Sequence, residues 1–140
     1  MDILLVEDNL GDVRLIREAL TESRFPNEVH VARDGVESLA YLRREAPHDR
    51  ASRPALIVLD LNMPRMDGRE VLSEIKSDPK LRQIPIVVMT SSAAAEDIIA
   101  AYDRHANCYI RKPVNFEQFR AAVQKIEDFW FNVVELPPAR

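Results

Sequence analysis

Ala55-Leu56-Ile57-Val58-Leu59-Asp60 decides the fold. An unbroken apolar run ends on a carboxylate. A strand with one wet face alternates apolar and polar side chains, whereas one that is apolar throughout is covered on both faces, as in a parallel sheet. Outward from this run further strand-like segments recur: Ile3–Val6 before it, with the short Val29–Ala32, and Pro85–Met89 and Cys108–Arg111 after it. Between them lie stretches of helical period. From Gly11 to Ser23 the apolar positions are Val13, Ile16 and Leu20, joined by Leu15 and Ala19. Asp34 is placed to cap a helix carrying Val36, Leu39, Ala40 and Leu42. Ala46 to Pro54 reads as a polar loop. Gly68 opens a helix with Val71, Leu72 and Ile75 that stops at Ser77-Asp78-Pro79, and Ala94–Arg104 and Asn115–Trp130 supply two more. A β-α unit repeated in this way, joined by right-handed crossovers, gives an α/β fold with an open, doubly wound parallel sheet of five strands and five helices.

The 140 residues are enough for one domain with a sizeable core, and 46% apolar with 30% charged residues is the composition of a globular protein. Acidic residues outnumber basic ones by 23 to 19, a net charge of −4, so there is no global positive field to hold nucleic acid or anionic lipid. No apolar stretch approaches the ~20 residues that span a bilayer, and no signal segment precedes the first strand, so no membrane and a cytoplasmic location are expected. The single cysteine, Cys108, can form neither an internal disulfide nor a Cys-rich metal site. His30, His48 and His105 are scattered along the chain, each read as a surface or structural residue, which argues against zinc.

Polar residues cluster where the strands end. The first strand runs into Glu7-Asp8, the third ends in Asp60, the fourth in Thr90-Ser91 and the fifth in Arg111-Lys112. In a parallel sheet these ends share one edge, the edge where open α/β sheets bind ligands. Each piece alone has an ordinary reading: a solvated acidic loop, a structural Asp, a helix cap, a surface lysine in a turn. Together they describe a crevice in which three carboxylates, a hydroxyl and an ammonium converge. Like charges gathered at one site cost stability unless something compensates them. Mg²⁺ suits that role, since it takes hard oxygen ligands, with one or two carboxylates beside waters and phosphate oxygens. Asp8 and Asp60 fit the demand directly and Glu7 through a bound water.

Val6-Glu7-Asp8-Asn9, Leu59-Asp60-Leu61-Asn62-Met63-Pro64, Met66-Asp67-Gly68, Met89-Thr90-Ser91 and Tyr109-Ile110-Arg111-Lys112-Pro113 resemble the receiver domains of two-component response regulators, collinearly over residues 1–130. The resemblance implies a flavodoxin-like receiver fold with strand order 2-1-3-4-5. It implies that Asp60 accepts a phosphoryl group from a histidine kinase. Glu7, Asp8, Asp60 and the Asn62 backbone carbonyl would hold Mg²⁺ or Mn²⁺. Lys112 would pair with the phosphoryl oxygens, and the bond before Pro113 would be cis. Thr90 would contact the phosphoryl group and Tyr109 would change rotamer in response. Such a protein is a signalling switch rather than an enzyme, although it promotes its own phosphorylation and dephosphorylation. The loop Pro47–Pro54, the end Ile126–Phe131 and the stretch Val133–Pro137 look like those of small stand-alone regulators that partner phytochrome-type histidine kinases.

Residues 1–131 are thus expected to form the receiver and 132–140 a C-terminal extension. Phe116, Phe119, Val123, Ile126 and Trp130 form one stripe for the sheet, which leaves over Phe129, Phe131, Val133, Val134 and Leu136. These either fold back on their own domain or meet the same patch on a second copy, and a homodimer is the expected solution. Leu10, Gly11, Val13 and Arg14, beside the crevice, suit docking of a kinase helical hairpin, although Val13 equally fits ordinary core. Two other functions are weak on the residues. A phosphohydrolase using Asp60 as nucleophile lacks its second carboxylate, because Asn62 stands there, and an FMN carrier would meet repulsion from Glu7-Asp8. A P-loop is absent. A receiver-like scaffold that is never phosphorylated stays open.

Overall fold

The computed structural model of the chain describes residues 2–22, 27–112 and 115–138. Strands β1 (Asp2–Val6), β2 (Glu28–Ala32), β3 (Leu56–Leu59), β4 (Ile86–Thr90) and β5 (Cys108–Arg111) alternate with helices α1 (Leu10–Thr21), α2 (Gly35–Leu42), α3 (Gly68–Ser77), α4 (Ala95–Asp103) and α5 (Phe116–Glu127). All strand pairs are parallel, in the order β2-β1-β3-β4-β5. The expected doubly wound α/β sheet and its strand order are both present.

Both faces of the sheet are dry, which is why the central strands carry no alternation. Leu4, Val6, Ile57, Leu59, Ile86 and Val88 pack with residues of α2, α3 and α4. Their neighbours Ile3, Leu5, Leu56, Val58, Val87 and Met89 pack with α1 and α5. Burial of each such side chain contributes about 1.5–3 kcal/mol, so the three central strands hold the molecule together.

Four helices begin on side-chain caps. Asn9 accepts the Asp12 N–H, Asp34 that of Glu37, Asp67 that of Arg69 and Asn115 that of Gln118. α4 begins at Ala94 with no side-chain cap, so neither Thr90 nor Ser91 serves it; Ser92 Oγ instead accepts the Ala94 N–H at 3.3 Å.

The C-terminal end departs from the expected helix. α5 stops at Glu127 and continues as a π-helical stretch, Asp128–Val133, with the Val134 N–H donating to Phe129 O at 3.0 Å, five residues back. Wider winding turns both Trp130 and Phe131 toward the α1–α5 layer, and Phe131 joins Ile3, Ile16, Leu20 and Ile126 around a small apolar void. Phe131 is therefore not left over, as a 3.6-residue period had it, but packs on its own domain. Phe129 and Val133 stay exposed. The expected cis bond before Pro113 and the Phe116 side chain lie outside the described residues, and among those described the cis bond is Ala46-Pro47.

Candidate functional site

The sheet's hydrogen-bond ladder runs one residue beyond three strands, and this sets the functional side chains at one edge. The Glu7 N–H donates to Ala32 O at 3.0 Å, the Asp60 N–H to Val6 O at 3.0 Å and the Lys112 N–H to Thr90 O at 2.8 Å. α3 closes against the Asp60 loop, with the Gly68 N–H donating to Leu61 O at 2.9 Å. A Cβ at Gly68 would collide with the Asp60 carbonyl oxygen and come within 2.6 Å of Leu61 Cα, so the close approach requires glycine.

The result is an open crevice of about 780 Å³ that includes Glu7, Asp8, Asp60, Asn62, Ser91 and Lys112 in its lining. Carboxylate oxygens of Glu7, Asp8 and Asp60 lie within 4.8 Å of one another. That donor set, hard oxygens with no sulfur or imidazole, fits Mg²⁺ or Mn²⁺. Asp60 is only 7% exposed and Glu7 1%, whereas Asp8 and the Asn62 side chain face solvent. The Asn62 N–H donates to Asp60 Oδ1 at 3.3 Å and the Asn9 N–H to Glu7 Oε1 at 3.1 Å, which orients both carboxylates.

Lys112 Nζ sits among the acids, 2.7 Å from Glu7 Oε2, 2.7 Å from Asp12 Oδ2 and 3.1 Å from Asp60 Oδ2. Burial works against its charge, but the hydrogen bonds to Asp12 and Glu7 outweigh it and hold the ammonium above the usual lysine range. Burial pushes Glu7 up to about 7, opposed by Lys112 and reinforced by the Asp60 charge. Asp12, in the first turn of α1, escaped the sequence reading. An acidic residue there is ordinarily a partner for the helix dipole, and only the folded chain brings it to Lys112, 100 residues away in sequence.

Thr90 is fully buried, and its hydroxyl oxygen has no hydrogen-bond partner. Tyr109 is half-buried against the α2–α4 layer and donates its phenol to Ser92 O at 2.8 Å. From Ser92 the connection continues, with its hydroxyl on Asp97 Oδ2 at 2.6 Å and Arg69 Nη2 on Asp97 Oδ1 at 2.8 Å. Sequence inspection missed this Arg69–Asp97 pair, since its members lie on different helices and carry no motif.

Packing bears on two readings made from the sequence. Val13 is buried in the α1–α5 layer, so it is core and not a docking residue; Leu10, 62% exposed, remains on the surface beside the crevice. His30 and His48 are not scattered in space: each lies 5.5 Å, ring to ring, from Tyr41. With Asp2 and Glu28, His30 forms a second group able to share an ion, at the far end of β1, but its Nε2 lies 3.2 Å from Asp2 Oδ1. No helix among the described residues is long and apolar enough to cross a membrane.

The model of the response regulator receiver domain family matches residues 3–124. Response regulator Rcp1 of Synechocystis sp. (strain ATCC 27184 / PCC 6803 / Kazusa) is 47% identical over 98% of this chain and 93% of its own. The crystal structure of the phosphorylated cyanobacterial phytochrome response regulator RcpA superposes with a TM-score of 0.95 at 54% identity, covering 98% of both chains. That of the Mn²⁺-bound form of Rcp1 gives 0.93 at 46%, covering 98% of this chain and 99% of the other.

Proposed function

Because the chain belongs to the response regulator receiver family, we propose that Asp60 takes a phosphoryl group from a histidine kinase and that the acyl phosphate resets a protein-binding surface. The observation that carries this is the Lys112 ammonium within 3.1 Å of Asp60 Oδ2, in a crevice with three carboxylates able to share one cation. An Asp60 oxygen attacks phosphorus, the bond from phosphorus to the donor imidazole nitrogen breaks, and the imidazole leaves with that electron pair. A carboxylate is a competent nucleophile, and phosphoryl transfer asks mainly for positioning and charge neutralisation. Lys112 supplies one positive charge to the phosphoryl oxygens. Glu7, Asp8, Asp60 and the Asn62 carbonyl would hold Mg²⁺, as the Mn²⁺-bound form of Rcp1 supports, and the ion would supply the remaining charge. The protein therefore speeds a reaction on itself and turns over no separate substrate.

The unpartnered Thr90 hydroxyl is the group we assign to a phosphoryl oxygen, and Tyr109 follows it by leaving the Ser92 carbonyl. The kinase partner we favour is phytochrome-type, on the likeness to RcpA. Residues 132–140, with the exposed Phe129 and Val133, are assigned to a homodimer contact that this movement biases. Neither a membrane nor a nucleic acid is a partner in this reading. The test is a small-molecule phosphodonor with Mg²⁺ followed by intact mass. Wild type should gain one phosphoryl group and Asp60→Asn none; full gain in the variant overturns the assignment.

A further inference from the structure

The crevice holds four carboxylates and one ammonium, and the carboxylates fall into two sets. Glu7, Asp8 and Asp60 are close enough to share a cation; Asp12 is outside that group, and its carboxylate pairs with Lys112. An ammonium has three N–H donors. Glu7, Asp12 and Asp60 account for all of them, at 2.7, 2.7 and 3.1 Å. Glu7 and Asp60 are thus claimed twice, once by Lys112 and once by any cation in the crevice. When a cation takes them, Asp12 is the acceptor that Lys112 keeps.

The backbone that carries Asp12 is itself held in place. Its N–H is held by Asn9 Oδ1 at 3.0 Å, and the next residues inward on α1, Val13 and Ile16, are buried in the core. Its short side chain therefore hangs from a fixed helix, outside the three-carboxylate group on which a cation would draw. Lys112, by contrast, stands just beyond the end of β5, and a long flexible stem would otherwise leave its ammonium free to swing.

We propose that Asp12 is a positioning residue, the fixed seat from which the Lys112 ammonium reaches the phosphoryl group while Glu7 and Asp60 change partners. This rests on Asp60 being the phosphoacceptor. Without the seat, Lys112 still carries its charge but samples positions away from the reacting oxygens, and misplacement of such a group is costly.

Two measurements on the full chain test it, with Asp12→Ala and Asp12→Asn compared with wild type. The first is the maximal rate of phosphorylation at saturating phosphodonor and Mg²⁺. Asp12→Ala should lose about tenfold or more, as expected for a misplaced catalytic group, while Asp12→Asn, whose carbonyl still accepts the ammonium proton, keeps most of the rate. The second is independent of phosphorylation: proton exchange of the Lys112 ammonium by ¹H–¹⁵N NMR, with and without Mg²⁺. Wild type should stay protected when Mg²⁺ is added, Asp12→Asn should follow it, and Asp12→Ala should lose protection. An Asp12→Ala protein that is phosphorylated at the wild-type rate or faster overturns the proposal, as does one whose ammonium stays protected with Mg²⁺. If no protein gains mass, the phosphoacceptor reading fails by itself, and the exchange measurement still decides whether Asp12 seats Lys112.

Discussion

Glu127 shows how one buried group couples this protein to pH. It is 3% exposed and its Oε1 has no hydrogen-bond partner. Burial, and then the neighbouring Asp128 charge, push it up from 4.5 to about 7. A raised carboxyl binds its proton more tightly in the folded state, so between these two values the folded protein holds more protons than the unfolded one. Stability from this group is complete below pH 4.5 and is lost as pH rises through about 7. Glu127→Gln should change stability little at pH 4 and raise it by about 1–3 kcal/mol at pH 8, where it removes a charge that burial penalises, read by urea unfolding at each pH. At this scale the site was legible wherever a residue closes a strand. Glu7, Asp8, Asp60, Thr90 and Lys112 announce themselves because polar groups end otherwise apolar runs. Asp12 and Glu127 do not, because what makes each unusual is the element packed against it and not its own neighbours in the chain.

Elements were legible in proportion to how long they keep one period. β5 has the expected bounds, and β1, β3 and β4, the apolar runs covered on both faces, differ by a residue at one or both ends. The last helix was misread beyond Glu127 because its winding changes there. Counting 3.6 residues per turn carries Ile126 to Trp130; the π-helical turn carries it to Phe131 as well, and both rings reach the core layer. Extra residues in a turn of this kind are often tied to function, and here the turn splits the aromatic end into an inner pair and an outer Phe129. Phe131→Ala should cost about 2–3 kcal/mol, somewhat less than for a fully buried Phe. Phe129→Ala, at an exposed position, should stay within about 0.5 kcal/mol in chemical denaturation. In sedimentation, Phe129→Ala should weaken self-association; unchanged association in that variant removes Phe129 from the dimer contact.

At the scale of the molecule, strand order was the part that patterning alone could not supply. Hydrophobic runs say that strands are central but not which lies beside which, and only the resemblance placed β1 between β2 and β3. That order is what brings residues 7, 60 and 112 to one crevice. Only the folded chain assembles them, so Mg²⁺ should stabilise by mass action, by about 2.7 kcal/mol at a hundredfold excess over Kd. A thermal melt with and without Mg²⁺ should show a higher Tm with the ion. Asp8→Asn should shrink that shift and make the ion-free protein more stable, through relief of repulsion in the crevice. The Lys112–Glu7 pair joins residues 105 apart, so its two charges are synthesised at different times. A ribosome adds about 5–20 residues per second, so the acidic pair after β1 is made roughly 5–20 s before its lysine counter-charge exists. For that interval the nascent chain carries its future switch as an unneutralised acidic end, and α1 and β3 are in being well before α5 can dock on α1. The crevice is thus complete only once Lys112 has been made, and a chain stalled before that residue lacks its counter-charge.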